Sequence, residues 1–259
     1  MPYLIRLRGT GLACLSACLS LAAAQAAEPD LDVPSMKVTV TAAAEYAEHS
    51  ASTASKTGLD LRDIPQAVEV RGRQLLDDLG GTQNSYEIAR TVAGAFNAEN
   101  GQGDPGRNVP NFIFRGYYNG GYLKDGHMVN SWMSTTDMAN VERVEFLKGP
   151  ASFLYGGSIY TGDIGGVVNY VSKRPSASRM LTADVTAGSA GFYRGTVDLG
   201  GPLSGNASVR YRLNAAVEQG DSFRDYATHD ARFVAPALAI DLTPRDALTL
   251  LGELADTHE

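Results

Sequence analysis

The run Val141-Glu142-Arg143-Val144-Glu145-Phe146-Leu147-Lys148-Gly149-Pro150 carries more structural information than any other part of the sequence. Val141, Val144, Phe146 and Leu147 set β-branched, aromatic and apolar residues along positions 141–147, which predicts a strand. Gly149-Pro150 ends it, because proline has no N–H to give to a ladder. Charges at Glu142, Arg143 and Glu145 lie within the strand, so the residues around it decide whether they face water or a protein surface.

Working outward, Phe112-Ile113-Phe114 and residues 167–171 also read as strands, and residues 61–70 end in an extended run after Pro65. Residues 74–79 and 86–91 read as short helices. Glycine-rich loops at residues 101–106 and 116–121 separate these elements. Mixed elements of this kind predict an α+β module over residues 58–175.

After Pro175 the texture changes to alternation with period two, so residues 176–259 form a separate unit. In its clearest run, Ala207, Val209, Tyr211, Leu213, Ala215 and Val217 fall on one face, and Ser208, Arg210, Arg212, Asn214 and Glu218 on the other. Two earlier runs, around residues 181–187 and 193–199, and two later ones, around residues 234–242 and 248–254, bring the expected strands to about five. Short and long turns alternate between them, as in a transmembrane β-barrel with its apolar face outward. A soluble sandwich alternates too and hides its apolar face against a second sheet, so alternation alone leaves both open.

Arg6 and Arg8 precede an apolar run over residues 11–24, and Ala24-Gln25-Ala26 has the small-x-small pattern of a signal-peptidase site. Residues 1–26 therefore read as an export signal outside the fold. The run is shorter than the ~20 residues of a spanning helix. Cys14 and Cys18 both lie in this signal, which leaves the mature chain without a disulfide. Leu15-Ser16-Ala17-Cys18 also resembles a lipidation site, but the apolar run continues past it and favours the ordinary signal.

Residues 27–57, rich in Ala, Ser, Thr and Glu, read as a flexible segment. One alternating run, Val38-Thr39-Val40-Thr41-Ala42, has the pattern of a strand that adds to another protein's sheet edge; a solvated tail is the other reading. A net charge of −7 and a pI near 5.1 argue against a nucleic-acid partner. Gly156-Gly157-Ser158-Ile159-Tyr160 lacks the last glycine of a nucleophile elbow. His49, His127, His229 and His258 are scattered without metal-ligand spacing. No catalytic residue, metal site or cofactor is expected.

The ordered series Phe112-Ile113-Phe114-Arg115-Gly116, Asp125-Gly126, residues 141–150, Ala151-Ser152-Phe153-Leu154-Tyr155-Gly156, Gly165-Gly166-Val167-Val168-Asn169 and Ser172-Lys173-Arg174-Pro175 resembles the plug of TonB-dependent siderophore receptors. Asp63-Ile64-Pro65-Gln66-Ala67-Val68 looks like the family's plug entrance, and residues 38–42 look like its TonB box. One departure is Ile164-Gly165-Gly166, where the family usually has Pro-Gly-Gly; without the proline the turn should be slightly looser.

The resemblance implies an α+β plug followed by the first strands of an antiparallel barrel of roughly 22 strands. It implies a receptor in the outer membrane, surrounded by lipid, that binds a ferric siderophore from outside and passes it inward when TonB grips residues Val38, Thr39, Val40, Thr41 and Ala42. Arg115, Glu142, Arg143 and Glu145 would bond the plug to the barrel wall. Tyr117, Tyr118, Tyr122 and Trp132, with Arg107, would meet the chelate on upward-pointing loops, since aromatic faces and hydroxyls suit a ligand part apolar and part polar. Haem, cobalamin or an oligosaccharide are alternative ligands. Five strands cannot close such a barrel, so this stretch alone is expected not to insert, and a plug fragment that only binds TonB is the alternative from another class.

Overall fold

The computed structural model describes residues 5–9, 46, 48, 50–54, 56, 59–79, 85–97, 112–119, 121–130, 137–155, 164–189, 191–203, 205, 207–221 and 228–258. They form a mixed domain packed against the inner face of a curved sheet.

The mixed domain is built on five strands in the order Ala67–Gly72, Val141–Lys148, Gly166–Ser172, Gly121–Lys124, His127–Asn130. All pairs are antiparallel except Gly166–Ser172 with Gly121–Lys124. Every residue of Gly166–Ser172 is buried, which accounts for its almost unbroken apolar sequence, since a strand covered on both faces has no solvent side to alternate with. Helices Arg73–Asp78 and Ser85–Arg90 stand where helices were expected. Leu76, Ile88, Ala89 and Val92 pack into the core with Phe112, Phe114 and Phe146. Phe146 meets Phe112 edge-on at 5.8 Å, a geometry favoured by the ring quadrupole.

Two hairpins in this domain turn on the dipeptides Arg115-Gly116 and Asp125-Gly126. All four residues have positive φ (49°, 87°, 51° and 80°), as a two-residue type I′ connection requires. Gly166 is also committed by its backbone. At φ 151° an added Cβ would lie 2.4 Å from the Leu147 carbonyl oxygen, so only glycine fits.

The curved sheet runs through Met180–Ala187, Tyr193–Pro202, Val209–Asp221, Thr228–Asp241, Ala247–Leu251 and Leu254–His258, each antiparallel to its neighbour in the ladder. Leu181, Val185, Tyr193, Val197, Val217, Leu248, Leu250 and Leu254 are exposed on its outer face. Inside, Arg194 and Asn214 are buried, which is the apolar-out, polar-in arrangement of a membrane barrel. Thr228–Asp241 differs from that expectation: its inward row is Ala231, Phe233, Ala235, Ala237 and Ala239, all buried. Ala139, Phe233 and Ala235 belong to one apolar cluster, so this strand meets the mixed domain with methyl groups and a ring.

The last expected run, around residues 248–254, is two strands. Pro236 has no N–H, and the ladder opposite it breaks between Leu251, paired with Ala237, and Leu254, paired with Val234. The register is the same on both sides, so Glu253 stays on the inward face.

Ile5–Gly9, within the stretch read as an export signal, lies antiparallel on Met180–Ala187, with Ile5 opposite Ala187 and Gly9 opposite Ala183. An edge strand presents unpaired N–H and C=O groups, and an extended segment satisfies them.

Candidate functional site

The functional geometry lies where the mixed domain meets the wall. Asp137 caps the 3-10 turn Met138–Asn140 by accepting from the Ala139 N–H at 2.7 Å. Arg73 donates to the carbonyls of Met138 (2.6 Å) and Val141 (2.7 Å), which fixes the turn from behind. The same carboxylate takes both terminal nitrogens of Arg194 on the wall, one on each oxygen, the Nη1 contact at 3.0 Å. Arg194 also donates to Glu218 at 2.7 Å, and His229 Nε2 lies 3.4 Å from the same carboxylate. The Asp137 and Arg194 side chains are each only 2% exposed. Charges this deep hold together only because each has its partner.

A second group lies toward the end of the mixed domain. Lys173 Nζ reaches Asp198 at 2.8 Å, and Arg212 grips the same carboxylate through Nε (2.9 Å) and Nη2 (2.8 Å). Arg212 Nη1 donates to the Arg174 carbonyl at 3.0 Å. The fully buried Asn214 turns its amide nitrogen to the Asp198 carboxylate and to the Ala139 carbonyl, 3.1 Å away. Burial, and then the neighbouring Arg73 charge, press the Lys173 ammonium below the ordinary lysine value, while Asp198 pulls the other way. A third group uses Glu253, which accepts from Asn140 Nδ2 at 2.7 Å and pairs with Lys124 at 2.6 Å.

The residues singled out from the sequence are only partly in these groups. Glu142 faces Arg212 across the interface at 3.9 Å. Arg143 and Glu145 do not reach the wall among the described residues. Arg143 Nε donates to Glu145 at 2.7 Å, and the fully buried Glu145 carboxylate turns inward to accept from the N–H groups of Ser52 (3.0 Å) and Thr53 (2.7 Å) and from both hydroxyls. Arg115 is an exposed turn corner whose N–H bonds the Gly94 carbonyl, because the hairpin needs its backbone there. The reading of residues 27–57 as flexible gives way at its end, where Ala51 and Thr53 are buried.

Among the aromatic candidates, Tyr122 is corrected. It is completely buried and meets Tyr170 edge-on at 5.2 Å, because it belongs to the strand Gly121–Lys124 and not to a loop. Tyr117 and Tyr118 lie on the strand Tyr117–Asn119, and Tyr117 is exposed. Arg107, Trp132 and residues 38–42 lie outside the described residues.

Sequence reasoning missed the partners: Asp137, Asn140, Lys124 and Lys173 on one side, Arg194, Asp198, Arg212, Asn214, Glu218 and Glu253 on the other. The wall residues did leave a signal, since they recur on the polar face of otherwise apolar strands. Asp137 left none beyond the capping position it occupies.

A small α+β domain bonded through buried charges to the polar face of a curved sheet, whose other face is apolar, is a plug seated against the wall of a membrane β-barrel. Residues 60–167 match the family described as TonB-dependent receptor plug domain, and the chain carries that plug followed by wall strands. Over 97% of its length it is 38% identical to the metal-pseudopaline receptor CntO of Pseudomonas aeruginosa, and over 96% it is 29% identical to the ferripyoverdine receptor of the same organism. It spans about a third of those relatives, 35% and 31%. Among solved structures, P. aeruginosa FpvA bound to a heterologous pyoverdine superposes with a TM-score of 0.72 at 29% identity, covering 82% of this chain and 28% of that one. The alcaligin outer-membrane receptor FauA from Bordetella pertussis gives 0.70 at 28% identity, covering 82% and 36%.

Proposed function

We propose that the chain forms the plug and first wall strands of an outer-membrane receptor that imports a ferric siderophore, with TonB supplying the energy. The observation that carries this reading is the buried Asp137–Arg194–Glu218 group, which seats a plug of the matched family in a wall with an apolar outer face. In this reading residues 1–26 direct export, residues 38–42 are gripped by TonB, and Tyr117, Tyr118, Trp132 and Arg107 meet the chelate. The receptor itself performs no bond chemistry and binds no cofactor; the metal arrives as cargo.

Identity is higher to the metal-pseudopaline receptor than to the ferripyoverdine receptor, so a chelate carrying a metal other than iron is the second reading. The test is accumulation of radiolabelled metal by cells expressing the whole reading frame in a strain without other receptors of this class. Accumulation with a ferric siderophore, lost when TonB is deleted, supports the first reading, and accumulation only with another metal supports the second. No accumulation with any metal chelate overturns both.

A further inference from the structure

The outward face of the wall is not apolar from end to end. Cross-strand register sorts its residues into rows. Val197, Ala215, Val234 and Leu254 make one row, apolar throughout. The next row toward the end that carries Ala187 is Gly195, Val217, Arg232 and Asp256, and the one beyond it is Tyr193, Gln219, Asp230 and His258. The polar members of both rows are exposed. Because Gly195 has no side chain and Val217 is short, the two rows enclose a depression of about 590 Å³ with an apolar floor and a polar rim. His258 Nε2 lies 3.3 Å from Asp256, whereas Arg232 makes no ion pair among the described residues.

We propose that this depression binds the phosphorylated sugar headgroup of an outer-leaflet glycolipid, the lipid A part of lipopolysaccharide. Which end of the wall faces outside rests on the transport reading. Asp125 accepts from Ser172 and Arg174, where the plug hands over to the wall, so the turn Asp125-Gly126 lies at the end where the first wall strand begins. The other end of that hairpin leads on to residue 132, a proposed chelate contact on the outer side, which puts Ala187 and Tyr193 at the outer end. An arginine at the lipid boundary is favoured by an anion beside it, and a phosphate offers two oxygens to its fork. The remaining groups suit sugar hydroxyls: Asp230 accepts, the Gln219 amide accepts and donates, and Tyr193 sets an amphipathic ring at headgroup level. Gly195, Val217 and the apolar row beneath them receive the start of an acyl chain. A glycerophospholipid brings the phosphate with far fewer hydroxyls, so it would engage Arg232 and leave the other polar groups unused.

The test is native mass spectrometry of the full receptor in detergent, with lipid A, dephosphorylated lipid A or phosphatidylglycerol added. The unaltered receptor is expected to retain lipid A in preference to both other lipids. Arg232→Gln should weaken lipid A retention about ten-fold and leave the dephosphorylated lipid where it was. Gln219→Ala with Asp230→Ala keeps the arginine and should weaken both sugar lipids several-fold. Arg245→Gln, an exposed arginine at the opposite end of the wall, should change nothing. Lipid A retention that is unchanged in the first two variants, or falls equally in Arg245→Gln, overturns the proposal. Phosphatidylglycerol retained as well as lipid A also overturns it, as does a receptor dimer that Arg232→Gln dissolves, which would give the face to a second copy. No metal chelate is present, so a failure of the transport reading appears in metal accumulation and leaves these retentions as they are.

Discussion

Asp137 and Arg194 face each other across the boundary between plug and wall, two terminal guanidinium nitrogens against one carboxylate, with water excluded from both. The sequence distance of 57 residues between them is closed by tertiary packing alone. Removing Arg194 leaves the Asp137 and Glu218 carboxylates buried without their cation, which costs about 3–5 kcal/mol, whereas removing Asp137 leaves Arg194 its Glu218 partner. Arg194→Ala should lower plug stability by that order in denaturant unfolding, and Asp137→Ala by less. The double variant should lose much less than the sum; an additive loss would show that the pair is not coupled.

Arg115 separates a turn role from a wall role. At φ 49° a β-branched residue is strained and asparagine is not, so Arg115→Val should cost about 1–2 kcal/mol and Arg115→Asn well under 1. If both substitutions cost the same, the guanidinium and not the backbone carries the position. Thermal unfolding of the two variants side by side decides it.

Gly166 has no room for a methyl group beside the Leu147 carbonyl. Gly166→Ala is expected to destabilise the plug by about 1–3 kcal/mol. The loss should appear as faster hydrogen exchange along Val141–Lys148, the strand paired with it.

Acid should loosen the edge strand Ala67–Gly72. Burial alone would raise the Glu69 carboxyl, but Lys148 and Arg71 outweigh it and hold the group below the ordinary carboxylate value. A carboxylate whose folded pKa is depressed adds stability above its unfolded value and loses it as pH falls through the folded one. Exchange protection of residues 67–72, corrected for the intrinsic pH dependence, should fall in that acid window. Glu69→Gln should flatten the profile.

Val40→Pro tests the proposed TonB grip. Proline removes a donor and fixes φ, so a segment that adds to another sheet by backbone pairing should fail. Metal accumulation should be abolished and chelate binding to whole cells retained. Uptake that survives moves the grip elsewhere in residues 27–57.

Much of the architecture is legible in the chain because it rests on local patterns. The alternation along Val209–Asp221 shows which residues face outward, and the glycine-rich stretches mark breaks between elements, although the turns on Arg115-Gly116 and Asp125-Gly126 emerge only in the fold. The site is less legible. Glu142, Arg143 and Glu145 are neighbours in sequence, yet Glu142 reaches toward the wall while Arg143 and Glu145 face the segment at Ser52 and Thr53. Which way each points depends on segments far away in the chain. Tyr122 misled for a related reason: its glycine neighbours suggested a loop, and the parallel pairing of Leu123 with Asn169 made it core. Pro236 hides a similar long-range effect: residues 248–254 read as one run, and only the ladder opposite Pro236 shows that it breaks while Glu253 keeps its face.

The row Ala231, Ala235, Ala237 and Ala239 gives the wall one strip without hydrogen-bonding side chains, between the charged pins of Tyr193–Pro202 and Val209–Asp221 on one side and Glu253 on the other. The plug touches this strip through Ala139, packed against Phe233 and Ala235, so here it is held by shape alone and the pins on either side fix its position.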